Sequence, residues 1–415
     1  MRTGGSRLSG PIIFVISCTV RIALVLATGS YRQPVNAVEM VQVARCLAAG
    51  QGFSNPYGCV TGPTVHLAPV YPFLLSLIYR LVPPGSSREL TVFMLGITIV
   101  SLMYALLPWL AVKLRLDPLV GVLAGFAGAS LPLFYWVEVE SEWEARLTAL
   151  LLVVALGKLA GLFELFTIRR MITAGIIWGV TVLTAPTLLP VFLALSIGLG
   201  WHSHLRPAVA LRAATALLVP AILVIMPWTI RNYRDFHEFI LVRGNTGLQL
   251  HMSFNPMARA TFDEGVLSGA FIDHPFTTAQ VCQEFARFGE VEMNRRYERQ
   301  AIEWIGANPS RSVALIAEHF VAFWRMAVPS RTKTAASELL TLAGLAGLAY
   351  CLRKHRFAGW MLGMVVLIYP LAYYVNFFEP RYRYPLHPLI LLTAFALLIG
   401  MARKFRKPSE IGSGL

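Results

Sequence analysis

"HLAPVYPFLLSLIYRLVPP", residues 66–84, sets the direction of every later segment of this chain. The run is apolar like a membrane span, but it is short for one, since a span needs about 20 residues. Pro69 and Pro72 stand near its start. If it crossed, each later segment would invert and the later basic clusters would move outside. Lysine and arginine collect at the cytoplasmic ends of spans. Residues 67–83 are therefore expected to stay on the outer surface, as a juxtamembrane or re-entrant helix with one buried face.

Composition sets the class around this stretch. Of 415 residues, 56% are hydrophobic and 14% are charged, where a soluble domain carries about 25% charged residues. Mean hydropathy is +0.60. Apolar windows lie at 8–28, 89–112, 118–136, 144–164, 208–228, 335–352, 357–376 and 386–402. A shorter pair, 171–184 and 187–201, is split at Ala185-Pro186, because proline breaks the helix ladder. The expected fold is an all-α polytopic bundle of about 10 membrane helices. The first window is expected to remain uncleaved. It follows Arg2 and Arg7, lacks a small-residue cleavage site, and has Arg21 inside its apolar run.

The net charge of +14 does not call for a nucleic acid, because the charge rule explains it. With the N-terminus inside, the inner side holds Lys113, Arg115, Arg169, Arg170, Arg206, Arg212, the run Arg353-Lys354-His355-Arg356, and Arg403, Lys404, Arg406 and Lys407. The outer side holds 29–88, 137–143, 229–334 and 377–385. Three parts follow: a core 1–228 with two outer loops, a large outer loop 229–334, and the last spans with a basic tail, 335–415. Within the large loop, 308–326 has apolar positions at helical spacing and reads as an interfacial helix. It is placed to roof a site.

Acidic residues gather on that outer side. Glu39 lies in the first loop, Glu138, Glu140, Glu142 and Glu144 in "YWVEVESEWEARL", and Glu379 just before Arg381 and Arg383. A channel or transporter would bury its ionisable groups near the midplane. Here the midplane segments are nearly free of charge, apart from Arg21 and Lys158.

Four stretches resemble the GT-C glycosyltransferases, in particular family 39, with its protein O-mannosyltransferases and lipid A aminoarabinose transferases. "NAVEMVQVARCLAAGQGFSNP" is similar to the family's first outer loop, and "TGPTVHLAPVYPFLLSLIYRL" to its Pro-Tyr-Pro juxtamembrane helix. "PWTIRNYRDF" is similar to the start of its large outer loop, and "RYRYPLHPLILL" to its Arg-Tyr approach to a late span. The resemblance implies a GT-C-type bundle, a polyprenyl-phosphate sugar donor and an outer-face acceptor. It also implies an acidic base in the first loop, where many members carry Asp and this chain carries Glu39.

The chemistry needs three things. A carboxylate must take a proton from the acceptor hydroxyl or amine. Positive groups must stabilise the departing phosphate. An amphipathic groove must hold the lipid. Glu39 suits the first role, with Glu138, Glu140 and Glu144 as competing catalytic carboxylates. Arg381 and Arg383 suit the second, because guanidinium pairs with phosphate through a planar fork, and Pro380 and Pro385 allow an extended turn in which both converge. Arg231 is a further phosphate candidate. His66, Tyr71, Asn232 and Tyr382 are the substrate-binding candidates, and His251 is a further outer-side histidine. Plainer roles also exist. The arginines can snorkel to head groups, and Glu39 can be a solvated residue of an amphipathic helix.

No cofactor is certain. A hard divalent cation bound by Glu39 with Glu138 or Glu140 is the one possibility these residues raise. Cys46 and Cys59 are close enough in sequence to pair in an oxidising compartment. No nucleotide-binding, zinc-ligand or nucleophile-elbow motif occurs, which argues against a nucleotide-sugar donor. The expected protein is an inner-membrane, multi-pass glycosyltransferase with its active site facing the periplasm. Its partners would be a polyprenyl-phosphate sugar, membrane lipids, and a lipid, glycan or protein acceptor. The alternatives are a transporter or flippase of lipid-linked sugars and a non-catalytic envelope scaffold.

Overall fold

The computed structural model describes residues 5–32, 39–202, 207–326 and 330–405. Arg2, Arg206, Arg406 and Lys407 lie outside them. The described chain is helical throughout, with no β-strand and two isolated bridges, Ser54 with Pro63 and Thr261 with Phe378. Its helices are α1 Gly5–Thr28, α2 Glu39–Ala48, α3 Val70–Leu81, α4 Ser86–Ala105, α5 Leu107–Lys113, α6 Pro118–Ser130, α7 Ala145–Ala160, α8 Ile168–Thr184, α9 Leu189–His202 and α10 Pro207–Phe236. The segment between α10 and α16, expected to lie outside and labelled the outer segment on that expectation, adds α11 Thr246–Ser253, α12 Phe262–Ser268, α13 Ala279–Phe288, α14 Glu290–Ala307 and α15 Pro309–Arg325. The last part adds α16 Arg331–Lys354, α17 Arg356–Ile368, α18 Leu371–Tyr374, α19 Pro380–Arg383 and α20 His387–Phe405.

Among the described residues, seven stretches are long and apolar enough to cross a membrane, and three further apolar helices are shorter. This is a multi-pass membrane protein. Several windows end earlier than hydropathy implies, and proline is the reason. α6 stops at Ser130 instead of running to 136, because Pro132 biases the residue before it away from helix. α17 gives way at Pro370 to the short α18. α8 ends at Thr184, and Ala185 just before Pro186 is already extended, as the split pair requires. Small residues let the bundle close. A Cβ on Gly347 would run into the Thr393 carbonyl, and one on Gly175 into the Leu217 carbonyl, so α16 meets α20 and α8 meets α10 backbone to backbone.

The helix that decides direction, α3, has 12 residues. At 1.5 Å per residue it spans roughly 18 Å, short of the roughly 30 Å hydrocarbon core. Both its ends join the same end of the bundle. His66, just before it, meets His274 of the outer segment, and Val82, just after it, accepts from Arg88 at the start of α4. Its buried face, Tyr71, Leu75 and Tyr79, packs in one cluster with Met40, Val41 and Ala44 of α2. Cysteines introduced at Thr61 and Ser87 are expected to label with an impermeant maleimide from one side only. Labelling of the two from opposite sides would overturn this topology.

The bundle's two ends differ in chemistry. At one, Lys113 pairs with Glu164 at 2.5 Å, Arg403 pairs with Asp117, and Arg115 covers the Phe357 ring. At the other lie the loops and the outer segment. That segment shares one core with the first loop and with the connection between α18 and α19: Tyr57 and Phe377 pack with Leu248, Met252, Phe285 and Tyr297.

Candidate active site

Glu39 begins α2, where a carboxylate suits the helix dipole, and it is buried. Two imidazoles converge on it. His66 Nε2 lies 3.9 Å and His274 Nε2 3.7 Å from Glu39 Oε1. All three are buried, and their ligand-capable atoms fall within 4.8 Å of one another. His66 is delivered by the loop between α2 and α3. That loop turns at Asn55, which takes φ 54° and accepts from the Thr61 and Gly62 amides at 2.9 Å. His274 comes from the loop between α12 and α13. Tyr57 meets both imidazoles edge-on, at 5.2 and 5.8 Å.

Glu290, at the start of α14, locks the first loop to the segment that carries His274. Its carboxylate accepts from Thr64 Oγ1 at 2.6 Å and from the Val65 amide at 3.0 Å. Burial pushes its carboxyl up to about 7, against the pull of those hydrogen bonds. Burial likewise pushes Glu39 up to about 6, opposed by a backbone hydrogen bond and by Arg381. The histidines move the other way. His66 falls well below the usual range through burial and nearby Arg243, and His274 falls to about 3 through burial and Arg381. Two neutral imidazoles and one carboxylate therefore meet here, the donor set that suits a zinc-like divalent cation.

Arg381 borders this group. It pairs with Glu379 and sits over the Trp143 indole, its Cζ 3.4 Å from the ring centroid. Beside it opens a pocket of about 340 Å³. Arg243 and Glu144 pair at 3.6 Å on its lining, and Tyr373 and Tyr382 stack on its wall at 4.8 Å. Three buried polar atoms on its lining have no hydrogen-bond partner: Glu144 Oε2, Asn245 Nδ2 and Arg381 Nη1. Such atoms are costly unless a ligand meets them.

The two arginines of "RYRY" do not converge. Pro380–Arg383 is one helical turn, not an extended one, and residues two apart on a helix face different ways. Arg383 turns from the pocket to Thr341 Oγ1 and Met326 Sδ. The four glutamates of 138–144 also separate. Glu138 pairs with Arg21 at 2.7 Å, and both are fully buried. Glu140 accepts from Ser30 at 2.8 Å. Glu142 pairs with Arg146 at 3.2 Å, and Tyr71 binds that pair. Only Glu144 faces the pocket. The carboxylates grouped at sequence level around a cation are thus dispersed, and Glu39 is left with histidines instead.

Arg231 braces the first loop by donating to the Thr64 and Phe53 carbonyls. Asn232 binds the Ile240 and Val242 carbonyls. His251 stacks on Tyr297 and meets Asp273. Cys59 is bonded to Cys282, not to Cys46, which is free. The disulfide staples the first loop to α13 across 223 residues, a pairing that no sequence spacing announces. His274, Arg243, Asn245 and Trp143 escape sequence reading for the same reason. Each is one of many of its type, with no motif around it.

No protein-family model and no curated protein matches the chain. Among solved structures, the Archaeoglobus fulgidus oligosaccharyltransferase in its apo form aligns at TM-score 0.59 and 16% identity, over 98% of this chain and 52% of that one. The same protein in complex with Zn and sulfate aligns at 0.55 and 16%, over 95% and 50%. Tethered to an acceptor peptide containing the NVT sequon, it aligns at 0.56 and 16%, over 97% and 50%. The chain spans about half the length of that protein. The likeness shows the fold, the GT-C arrangement of oligosaccharyltransferases, and does not single out family 39.

Proposed function

We propose that this chain is a membrane glycosyltransferase that moves a sugar from a polyprenyl-phosphate carrier to an acceptor at the face bearing Glu39. One observation carries the reading: the pocket that presents Arg243, Arg381 and Glu144, with unpartnered polar atoms on its lining, adjoins the buried carboxylate Glu39. The guanidinium groups suit a phosphate, and the amide, carboxylate and stacked tyrosines suit a sugar. In the reaction the acceptor O–H or N–H gives its proton to Glu39. The acceptor atom bonds to the anomeric carbon, and the bond from that carbon to the phosphate oxygen breaks. The electron pair stays on the phosphate, next to Arg381 and Arg243.

Glu39, His66 and His274 would hold a divalent cation. Bound there, it would supply positive charge to an oxygen of the reacting groups. An acceptor that is a lipid, glycan or protein, and a site facing the periplasm of the inner membrane, complete the proposal. Transport is disfavoured by the paired state of the buried charges: Arg21 with Glu138 and Arg146 with Glu142 form ion pairs with no exposed side-chain surface. Purified protein incubated with a panel of polyprenyl-phosphate sugars and membrane extract is expected to release free polyprenyl phosphate and label an acceptor. Carrier translocation in vesicles without either product would favour a flippase.

A further inference from the structure

Fully buried ionisable residues are costly and need a reason. Here two buried arginines, from two different helices, hold one short segment. Residues Trp136–Glu140 form a π-helical turn, a distortion that recurs at functional sites. From α1, Arg21 donates to Glu138 Oε2 at 2.7 Å and to the Gly128 and Ala129 carbonyls at 3.0 Å. From α7, Arg146 donates to the Val139 carbonyl at 3.0 Å and to Glu142 at 3.2 Å.

The other oxygen of Glu138 accepts from two tyrosines. Tyr104 of α4 donates at 2.7 Å and Tyr384 at 3.1 Å. Tyr384 is fully buried and directly follows the helical turn that carries Arg381. The same segment leads into Trp143, on which Arg381 lies, and into Glu144, which faces Arg243. Glu138 thus touches both halves of the Arg381 mount: the turn that bears the guanidinium and the segment that bears its platform.

We infer that Glu138, paired with Arg21, is a positioning residue that sets the Arg381 guanidinium over the pocket through Tyr384 and the 138–143 segment. This rests on the reading of the pocket as a phosphate site, but the geometry itself is testable without a ligand. Losing the Tyr384 hydroxyl frees the turn from Glu138 while leaving the ring packing in place. The ring still stacks with His387 at 5.9 Å and meets Phe134 edge-on.

The test uses the full chain in detergent micelles, as wild type, Tyr384→Phe and Glu138→Gln. Hydrogen exchange is followed by mass spectrometry, and affinity is measured for farnesyl phosphate, with farnesol as the phosphate-free control. Both variants are expected to speed exchange in 379–386 and 136–144 while α10 and α16 stay as protected as in wild type. Farnesyl phosphate affinity is expected to fall about fivefold, the worth of one hydrogen bond, with farnesol affinity unchanged. Unchanged exchange in 379–386 for a folded Tyr384→Phe would overturn the inference. So would a rise in exchange spread over the whole bundle, since that marks a structural role only. If wild type does not bind farnesyl phosphate, the pocket reading fails, and the exchange data still decide the positioning role.

Discussion

Glu39→Gln is expected to lower turnover about 10²–10⁴-fold, the usual worth of a positioned general base, while leaving lipid-phosphate binding near wild type. Glutamine keeps the size of the side chain and removes its capacity to take a proton. Glu39→Asp should retain part of the activity, because the carboxylate persists one methylene shorter. His274→Ala separates two roles for the same oxygen. If Glu39 acts as base alone, losing an imidazole 3.7 Å away costs far less than Glu39→Gln. If Glu39 acts as a metal ligand, His274→Ala and Glu39→Gln both release bound metal, and elemental analysis of the purified protein shows it. Glu144 is the competing carboxylate because it is the one of its run that faces the pocket. Near wild-type turnover for Glu39→Gln at saturating donor and acceptor would remove Glu39 from the mechanism.

Arg381→Ala should weaken lipid-phosphate binding by roughly 1.5–3 kcal/mol, a loss of about 10- to 150-fold, if a charge-assisted hydrogen bond disappears. The substitution also strips the cation from the Trp143 face, where it lies at 3.4 Å, and leaves Glu379 buried without its partner. Lysine should restore only part of the affinity, because it lacks the planar fork and stacks poorly on an indole. Arg383→Met is the comparator. Arg383 binds Thr341 and Met326 away from the pocket lining, so its loss should change donor affinity much less. Equal affinities for wild type and Arg381→Ala, measured with farnesyl phosphate, would remove Arg381 from phosphate binding and leave it a structural partner of Glu379 and Trp143.

Residues near in sequence report on one another through composition and period, and there the sequence suffices. Hydropathy alone determines the multi-pass helical class, and the length of 66–84 predicts the short helix that the fold shows, Val70–Leu81. Proline explains where α8 and α17 stop. The partners of each charge are decided elsewhere. His66 and His274 stand 208 positions apart and meet at Glu39 only because the outer segment folds back onto the first loop, held by Glu290 and the Cys59–Cys282 bond. The four glutamates of 138–144 look alike in sequence, yet Arg21, Ser30, Arg146 and Arg243 take one each. Arg381 and Arg383 look like a pair, yet a single helical turn sends one to the pocket and the other into the bundle. Burial decides protonation and tertiary contact decides partnership, and both depend on groups distant in the chain that leave no local pattern to read.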